Sequence, residues 1–510
     1  MNLLEQILSI AKEYPERIAL AEKERSYSYR ELFTAISQIS DEIRNKNLSK
    51  RPVLVFGKND FITLAAMLAA NLTGRAYIPV DAHTPFERIE MIYKAANPSA
   101  VVATTLLAAE FEALFPDKIS ASLTESLNEE DKSFPEIDLS SSVSGSDSCY
   151  IIYTSGTTGT PKGVEVSHDN LKSFTNWMNH DFEQIEQNQI LSQALYSFDL
   201  SIFSLYPSLT TGGTLVSLSR EETTNFKLLF DRLNAAKTKI NTWISTPSFV
   251  DICLLDPSFT QEKHPELQQF IFCGEELTAK TAAKLLKAFP EASVFNSYGP
   301  TEATGAISSI KITAEIISKV LAENERLPIG YAKPGVELQI IEDEIIIIGD
   351  SVAKGYFENS NEAVTRAFFM LDGKSAYHTG DAGSISFDGL LHYQGRIDFQ
   401  IKMNGFRIEL QDIEANLQKL AEVDGAVVLP QFNDQHKVTA LTAYIKTPRS
   451  FSEKAVERAF TKEIKQELSH RIMDYMMPAR FIYLKEFPLN QNGKVDRKGL
   501  EAQASKERGE

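Results

Sequence analysis

Between Cys149 and Val164 the chain reads Cys149-Tyr-Ile-Ile-Tyr-Thr-Ser-Gly-Thr-Thr-Gly-Thr-Pro-Lys-Gly-Val164, an apolar strand pattern running straight into hydroxyls, glycines and one lysine. That combination suits an anion. Thr154, Ser155, Thr157, Thr158 and Thr160 offer hydroxyl donors, Gly156 and Gly159 let backbone N–H groups approach closely, and Lys162 adds a positive charge. A triphosphate uses all three. The spacing departs from the P-loop pattern G-x-x-x-x-G-K-[ST], with Pro161 at the second glycine and Gly163 at the magnesium-binding hydroxyl, so the loop is expected to hold nucleotide in another way. Other chemistries lack their residues: there is no H-E-x-x-H pair among the eight histidines and no G-x-G-x-x-G dinucleotide fingerprint. Cys149, Cys253 and Cys273 are too far apart for a C-x-x-C motif and are expected to be reduced thiols.

The elements that must carry this loop alternate helix and strand. Helical patterns fall near Tyr29 to Lys46, Phe61 to Leu72, from about Asp169, and at Thr278 to Ala288. Strand patterns fall at Val53 to Phe56, Ala76 to Val80, Ala100 to Ala103, Tyr150 to Tyr153, Thr214 to Leu218, Thr242 to Ser245, Phe270 to Phe272 and Val294 to Phe295. The rhythm predicts an α/β fold with several βα layers. Asp138 to Asp147 is rich in Ser and Asp and is expected to be an exposed linker. After Pro328 short strands at Leu338 to Ile341, Glu344 to Ile348 and Leu391 to Tyr393 predict a small β-rich subdomain. From about Asp398 a compact α+β unit is expected: helix Glu409 to Leu420, strands Gly425 to Leu429 and Val438 to Ile445, and helix Ser452 to Leu468.

At 510 residues and 43% hydrophobic content the chain can hold more than one folding unit. A formal charge of −17 argues against general nucleic-acid binding and against a polybasic membrane anchor. Met1 to Leu20 reads as an amphipathic surface helix rather than a signal peptide, and no apolar run approaches the roughly 18 residues a membrane span needs. A cytoplasmic protein without membrane insertion is expected.

Five further segments accompany the loop: Leu195-Tyr-Ser-Phe-Asp-Leu-Ser201, Asn296-Ser-Tyr-Gly-Pro-Thr-Glu302, Tyr377-His-Thr-Gly-Asp381, Gln394-Gly-Arg-Ile-Asp-Phe-Gln-Ile-Lys-Met-Asn-Gly-Phe-Arg-Ile-Glu409 and Asn490-Gln-Asn-Gly-Lys-Val-Asp-Arg497. In this order they resemble the core motifs of the adenylate-forming, or AMP-binding, superfamily, which contains acyl-CoA synthetases, luciferases and the adenylation domains of peptide synthetases. Ile244-Ser-Thr-Pro-Ser-Phe249, Phe272-Cys-Gly-Glu275 and Arg396-Ile-Asp-Phe-Gln-Ile-Lys402 further resemble its D-alanine-activating ligases. The resemblance implies a large multi-subdomain N-terminal adenylation core at residues 1–397. It also implies a small, mobile α+β C-terminal lid at 398–510, with a hinge at Asp398. It implies ATP and Mg²⁺, and D-alanine or another small amino acid as acyl substrate. The implied acceptor is the phosphopantetheine thiol of a D-alanyl carrier protein, in a pathway that adds D-alanine to teichoic and lipoteichoic acids.

On that resemblance, Lys494 bridges the substrate carboxylate and the α-phosphate; without its motif it would read as a surface lysine. The nucleotide is expected against Thr154 to Gly159 and Lys162, against Asn296, Ser297, Tyr298, Gly299, Pro300 and Thr301, and against Tyr393, Gln394, Gly395 and Arg396. Asp381 accepts the ribose hydroxyls, where the plain alternative is a turn aspartate. Glu302 binds magnesium, against a solvated glutamate capping a turn. Asp199 pairs with the substrate ammonium, against an N-cap before a short helix. Cys273 and Gly305 line the side-chain pocket. Gly305 departs from the branched aliphatic expected there, so the pocket is expected to be larger or its wall displaced. Arg407, Lys485, Arg497 and Lys498 are candidates for docking an acidic carrier.

Overall fold

Helix starts in this chain are written by short polar side chains that satisfy the free N–H groups of the first turn. Ser28 accepts from the Glu31 N–H while Glu31 reaches back to the Ser28 N–H, opening the helix Tyr29–Asn45. Ser167 and Asn170 form the same reciprocal pair ahead of His168–Asp181, and Asp60 caps Phe61–Leu72. The computed structural model describes all residues except 47–48, 122–132, 157–158, 184, 236–238, 434–436, 489–494, 498 and 501–510. The chain folds as two compact units. The first comprises Met1–His83, Tyr93–Tyr153 and Gly163–Ile397; the second comprises Thr84–Ile92, Thr154–Lys162 and Asp398–Glu510. Two short stretches from the first 397 residues, including the hydroxyl loop, thus group with C-terminal residues.

The first unit contains three sheets. A nine-stranded sheet is parallel through its centre, where Gln189–Ser192, Thr242–Ser245, Gln269–Phe272 and Ser293–Tyr298 lie in register. Short antiparallel strands, Ser26–Ser28 and Tyr331–Ala332, form its two edges. A seven-stranded sheet carries Val53–Gly57, Tyr77–Asp81, Ala100–Ala103, Ser148–Thr154 and Lys162–Ser167, with Gly355–Tyr356 at one edge. Strands buried on both faces read as continuous apolar runs, which is why Val53–Gly57 and Gln269–Phe272 show no alternation. The third sheet, five antiparallel strands, includes Val336–Ile341, Glu344–Gly349, Lys374–Ile385 and Leu391–Arg396.

In the second unit the helices Leu410–Leu417 and Lys454–Ser469 accompany the sheet Gly425–Phe432, Val438–Lys446 and Arg480–Leu484. Their apolar faces meet in one core around Ile413, Leu417, Leu441, Ile464 and Leu468.

Three expectations change. The N-terminal helix covers only Leu3–Glu13, and Leu3, Leu4, Ile7, Leu8 and Ala11 are buried in the first unit's core; Ile18–Ala21 is already a strand. The segment 138–147 is not uniformly exposed: Ser142 and Val143 are buried, tied by Asn2 to Ser142 and by the Val143 N–H to the Asn71 carbonyl. Lys374–Ile385, a 12-residue strand, has no counterpart among the strand patterns read from the sequence. The three cysteines are free and buried, and no helix among the described residues is long and apolar enough to cross a membrane.

Candidate nucleotide and amino-acid site

In the first unit, antiparallel pairing sets Asp381 opposite Arg396, so the two chain segments that carry them arrive already in register. Asp381 is no turn residue; it lies inside a strand and is 3% exposed. Its Oδ1 accepts from Arg396 Nη1 at 3.0 Å and its Oδ2 from the Tyr298 hydroxyl at 2.5 Å. Arg396 also donates to the Thr379 carbonyl at 2.8 Å. Each carboxylate oxygen can accept more than one hydrogen bond, so Asp381 keeps capacity for two ligand hydroxyls while its orientation is already fixed. Burial, and then the adjacent Asp381 charge, pushes the Tyr298 phenol well above its ordinary range, so it stays a donor. The Tyr393 ring lies 6.3 Å from that of Tyr298 and is covered by the Arg326 guanidinium at 5.4 Å. Gly395 sits within the strand Leu391–Arg396 rather than at a turn, and Gln394 is exposed and reaches Ser384 at 3.4 Å.

The strand Ser293–Tyr298 delivers Asn296, Ser297 and Tyr298, and the chain then turns through Gly299 and Pro300 into a single helical turn, Thr301–Ala303. Asn296 donates to the Pro328 carbonyl at 2.8 Å and Ser297 to Ser309 at 3.0 Å, so both also hold the strand in place. Thr301 is buried, and Glu302 is 0% exposed, which removes the solvated-cap alternative. Glu302 Oε1 accepts from the Tyr356 hydroxyl at 2.8 Å. Among the described residues no group of three or more His, Cys, Asp or Glu is suited to a metal. A lone buried carboxylate fits a magnesium ion held chiefly by substrate phosphates rather than by a protein cage.

Asp199 opens the short helical turn Asp199–Ser201, but the capping positions belong to Phe198 and Ser201, and neither makes a side-chain cap bond. The N-cap alternative therefore fails. Its negative charge is felt by the fully buried Tyr150 phenol, which burial above all pushes well up. Cys273, just beyond the strand Gln269–Phe272, is 3% exposed and its thiol points to the Gly305 carbonyl at 3.7 Å. Gly305 has φ +81°, and a Cβ there would stand 3.0 Å from Phe203 and 3.3 Å from Ile202. On that side the missing side chain leaves no extra space, because Ile202 and Phe203 stand there.

The hydroxyl loop lies in the second unit. Ser155 donates to the Arg407 carbonyl and accepts from the Glu409 N–H, both at 3.3 Å. A Cβ on Gly156 would fall 2.0 Å from the Thr160 carbonyl oxygen, so the loop's tight return demands glycine. Thr154 reaches the Lys162 carbonyl at 3.4 Å, and the Lys162 charge offsets the burial that raises the Glu409 carboxyl. Asp398 is exposed and accepts from the Gln400 N–H at 3.0 Å. Thr157, Thr158 and Lys494 lie outside the described residues, as does Lys498. Sequence reasoning missed Tyr356 and Arg326. The only signal for Tyr356 is a tyrosine closing the glycine-bounded stretch Gly349 to Gly355, and for Arg326 there is none.

The sequence pattern of the AMP-binding enzymes matches residues 9–357, well over half of the chain. The chain belongs to the AMP-binding enzyme family. A relative in this family, the D-alanine--D-alanyl carrier protein ligase of Lactococcus lactis subsp. lactis (strain IL1403), is 70% identical over 510 residues, covering 100% of both chains. The protein of the same description from Lactiplantibacillus plantarum is 42% identical, covering 98% of each. Among solved structures, the Vibrio cholerae adenylation domain AlmE in complex with glycyl-adenosine-5'-phosphate superposes with a TM-score of 0.81 at 21% identity, covering 99% of this chain and 98% of that one. The o-succinylbenzoate CoA synthetase MenE from Bacillus subtilis also gives 0.81, at 20% identity and 98% coverage of each. At these identities both speak for the adenylate-forming fold alone.

Proposed function

We propose that this chain is an AMP-forming ligase that activates D-alanine with ATP and loads it onto the phosphopantetheine thiol of a D-alanyl carrier protein, supplying D-alanine for teichoic and lipoteichoic acids. The observation that carries this reading is the 70% identity to the Lactococcus ligase over 510 residues. In the first half-reaction a D-alanine carboxylate oxygen attacks the α-phosphorus of ATP, the bond to the β-phosphate oxygen breaks, and pyrophosphate leaves. In the second, the carrier's thiolate sulfur attacks the acyl carbon and AMP leaves. Both partners in the first step are anions, so the work falls on neutralisation and alignment rather than on a protein nucleophile.

Asp381, pre-set by Tyr298 and Arg396, accepts the ribose hydroxyls, and the Tyr298 and Tyr393 rings border the base with Asn296. Thr301 donates to the α-phosphate. Glu302 holds Mg²⁺, which when bound neutralises phosphate charge. The loop residues Thr154 to Gly159, with Lys162, take the departing pyrophosphate, and Lys494 spans the two reacting groups. Asp199 takes the substrate ammonium, a group that fatty and aryl acids lack. Cys273 and the Gly305 backbone border the methyl group. Residues 1–397 form the adenylation core, and 398–510 a lid that turns about Asp398 between the half-reactions. Of the candidate docking cations, Arg497 is committed to Glu414 at 2.7 Å, whereas Lys485 is exposed and available to an acidic carrier. ATP and reduced carrier thiols place the reaction in the cytoplasm.

The test is ATP–pyrophosphate exchange with D-alanine, L-alanine, glycine and D-serine. D-alanine is expected to give the highest kcat/KM. Preference for another amino acid overturns the substrate assignment, and no exchange with any of them overturns adenylation.

A further inference from the structure

The segment Gly349 to Tyr356 grips the turn that carries Glu302 at several points. Thr304 donates its hydroxyl to the Ser351 carbonyl at 2.8 Å, and the Ala353 N–H donates to the Glu302 carbonyl at 2.9 Å. The Tyr356 hydroxyl then reaches the Glu302 carboxylate at 2.8 Å, so backbone and side chain of one residue are held by the same stretch. That stretch is itself braced. Asn170 donates to the carbonyls of Asp350 at 2.6 Å and Val352 at 3.2 Å. The Lys333 ammonium, with a side chain 0% exposed, bonds Ser173 at 2.7 Å and Asp350 at 3.2 Å.

At its far end Gly355 and Tyr356 pair with Glu165 and Val164, and the Phe357 N–H donates to the Gly163 carbonyl at 2.7 Å. The Tyr356 ring meets Phe368 edge-on at 5.1 Å. The Tyr356 backbone and ring are thus held by contacts other than Glu302. The terminal torsion of a glutamate is intrinsically broad, so hydrogen-bond partners help to select one orientation.

We propose that Tyr356 is a positioning residue: its hydroxyl fixes the Glu302 carboxylate in the orientation that binds the divalent cation on the nucleotide phosphates. The inference rests on the function proposed above for Glu302. It assigns to Tyr356 no contact with substrate; its effect on the cation passes through Glu302. Removing the hydrogen-bond partner of a metal-ligating carboxylate typically weakens metal binding about 10- to 100-fold.

The experiment compares wild type, Tyr356→Phe, Glu302→Gln and the double variant, all as full chains, by isothermal titration calorimetry with ATP in excess Mg²⁺ and in EDTA. Wild type is expected to bind more tightly with Mg²⁺. Tyr356→Phe is expected to lose about tenfold or more of that gain and to keep its affinity in EDTA, with a lowered melting temperature because a buried carboxylate loses a donor. The double variant is expected to match Glu302→Gln, since two residues acting as one unit are not additive. An undiminished magnesium gain in Tyr356→Phe, an equal loss with and without Mg²⁺, or an additive double variant each overturns the proposal. Should Tyr356→Phe fail to fold, Asn170→Ala, which releases the same segment from its other side, must lower the magnesium gain or the proposal falls. Pyrophosphate exchange by wild type is measured separately. Wild type that shows the magnesium gain but no D-alanine-dependent exchange defeats the functional reading and leaves the Tyr356 result standing.

Discussion

Asp381 in the first unit is held at 2.5 and 3.0 Å by two side chains that are themselves anchored, whereas Ser155 in the second makes two bonds of 3.3 Å to backbone alone. Around Asp381, long-range strand pairing sets the geometry, and Asp381, Tyr298 and Thr379 are buried. Around Ser155, glycines and hydroxyls make a loop whose shape follows local backbone return. The difference suits the two tasks proposed for these regions. A nucleoside has one rigid shape and rewards a preorganised site; a leaving pyrophosphate must be gripped and then released, which a loop of weak, replaceable bonds allows.

The largest effect is expected at the rigid end. Asp381→Ala leaves the Tyr298 hydroxyl and the Arg396 guanidinium without their buried partner, so folding stability is expected to fall by about 3 kcal/mol. ATP kcat/KM in the exchange assay is expected to fall on the order of 100-fold, the value of one or two charge-assisted hydrogen bonds. A thermal melt and exchange kinetics on the same preparation check both, and a variant that melts like wild type contradicts a pre-set network. Ser155→Ala should act more mildly and on one side only: kcat for exchange lower by up to about tenfold, from loss of a net hydrogen bond, with the melting temperature kept. A large stability loss in that variant would erase the contrast between the two regions.

The smallest effect is on stability against pH. Burial raises the Glu409 carboxyl above its usual value of 4.5, while Arg407 and Lys162 pull it back. A carboxyl raised on folding favours the folded state most below 4.5, where it is protonated in both states, and that contribution is lost as pH rises through the folded value. Glu409→Gln, which stays neutral, should therefore gain stability relative to wild type between pH 4 and pH 7. Denaturant midpoints at the two pH values measure it; a gap that shrinks over this range reverses the sign and the reading.

Local signals were legible in the sequence where one element sufficed. Caps and apolar periods placed Phe61–Leu72 and Thr242–Ser245 to the residue, and the Gly-Pro-Thr-Glu and Thr-Gly-Asp segments pointed to Glu302 and Asp381. What stayed hidden was decided by distant partners. Lys374–Ile385 is a strand because neighbours on both sides complete its ladder, although Lys-Ser-Ala-Tyr-His-Thr-Gly-Asp-Ala-Gly-Ser-Ile shows no alternation. Tyr356 meets Glu302 across 54 positions, and no local pattern reports that. Gly305 is a related case: a missing side chain reads as space or as a displaced wall, and Ile202 and Phe203, a hundred positions earlier, stand where the space would be.

The burial of the three thiols has a consequence for selectivity. Desolvation pushes Cys149 up to about 12 and raises Cys253 as well, so neither offers a thiolate at neutral pH. An acyl-adenylate is a mixed anhydride that any accessible thiolate would consume. With these two sulfurs enclosed, neither competes for the reactive acyl group, which is left to a thiol carried in by another molecule.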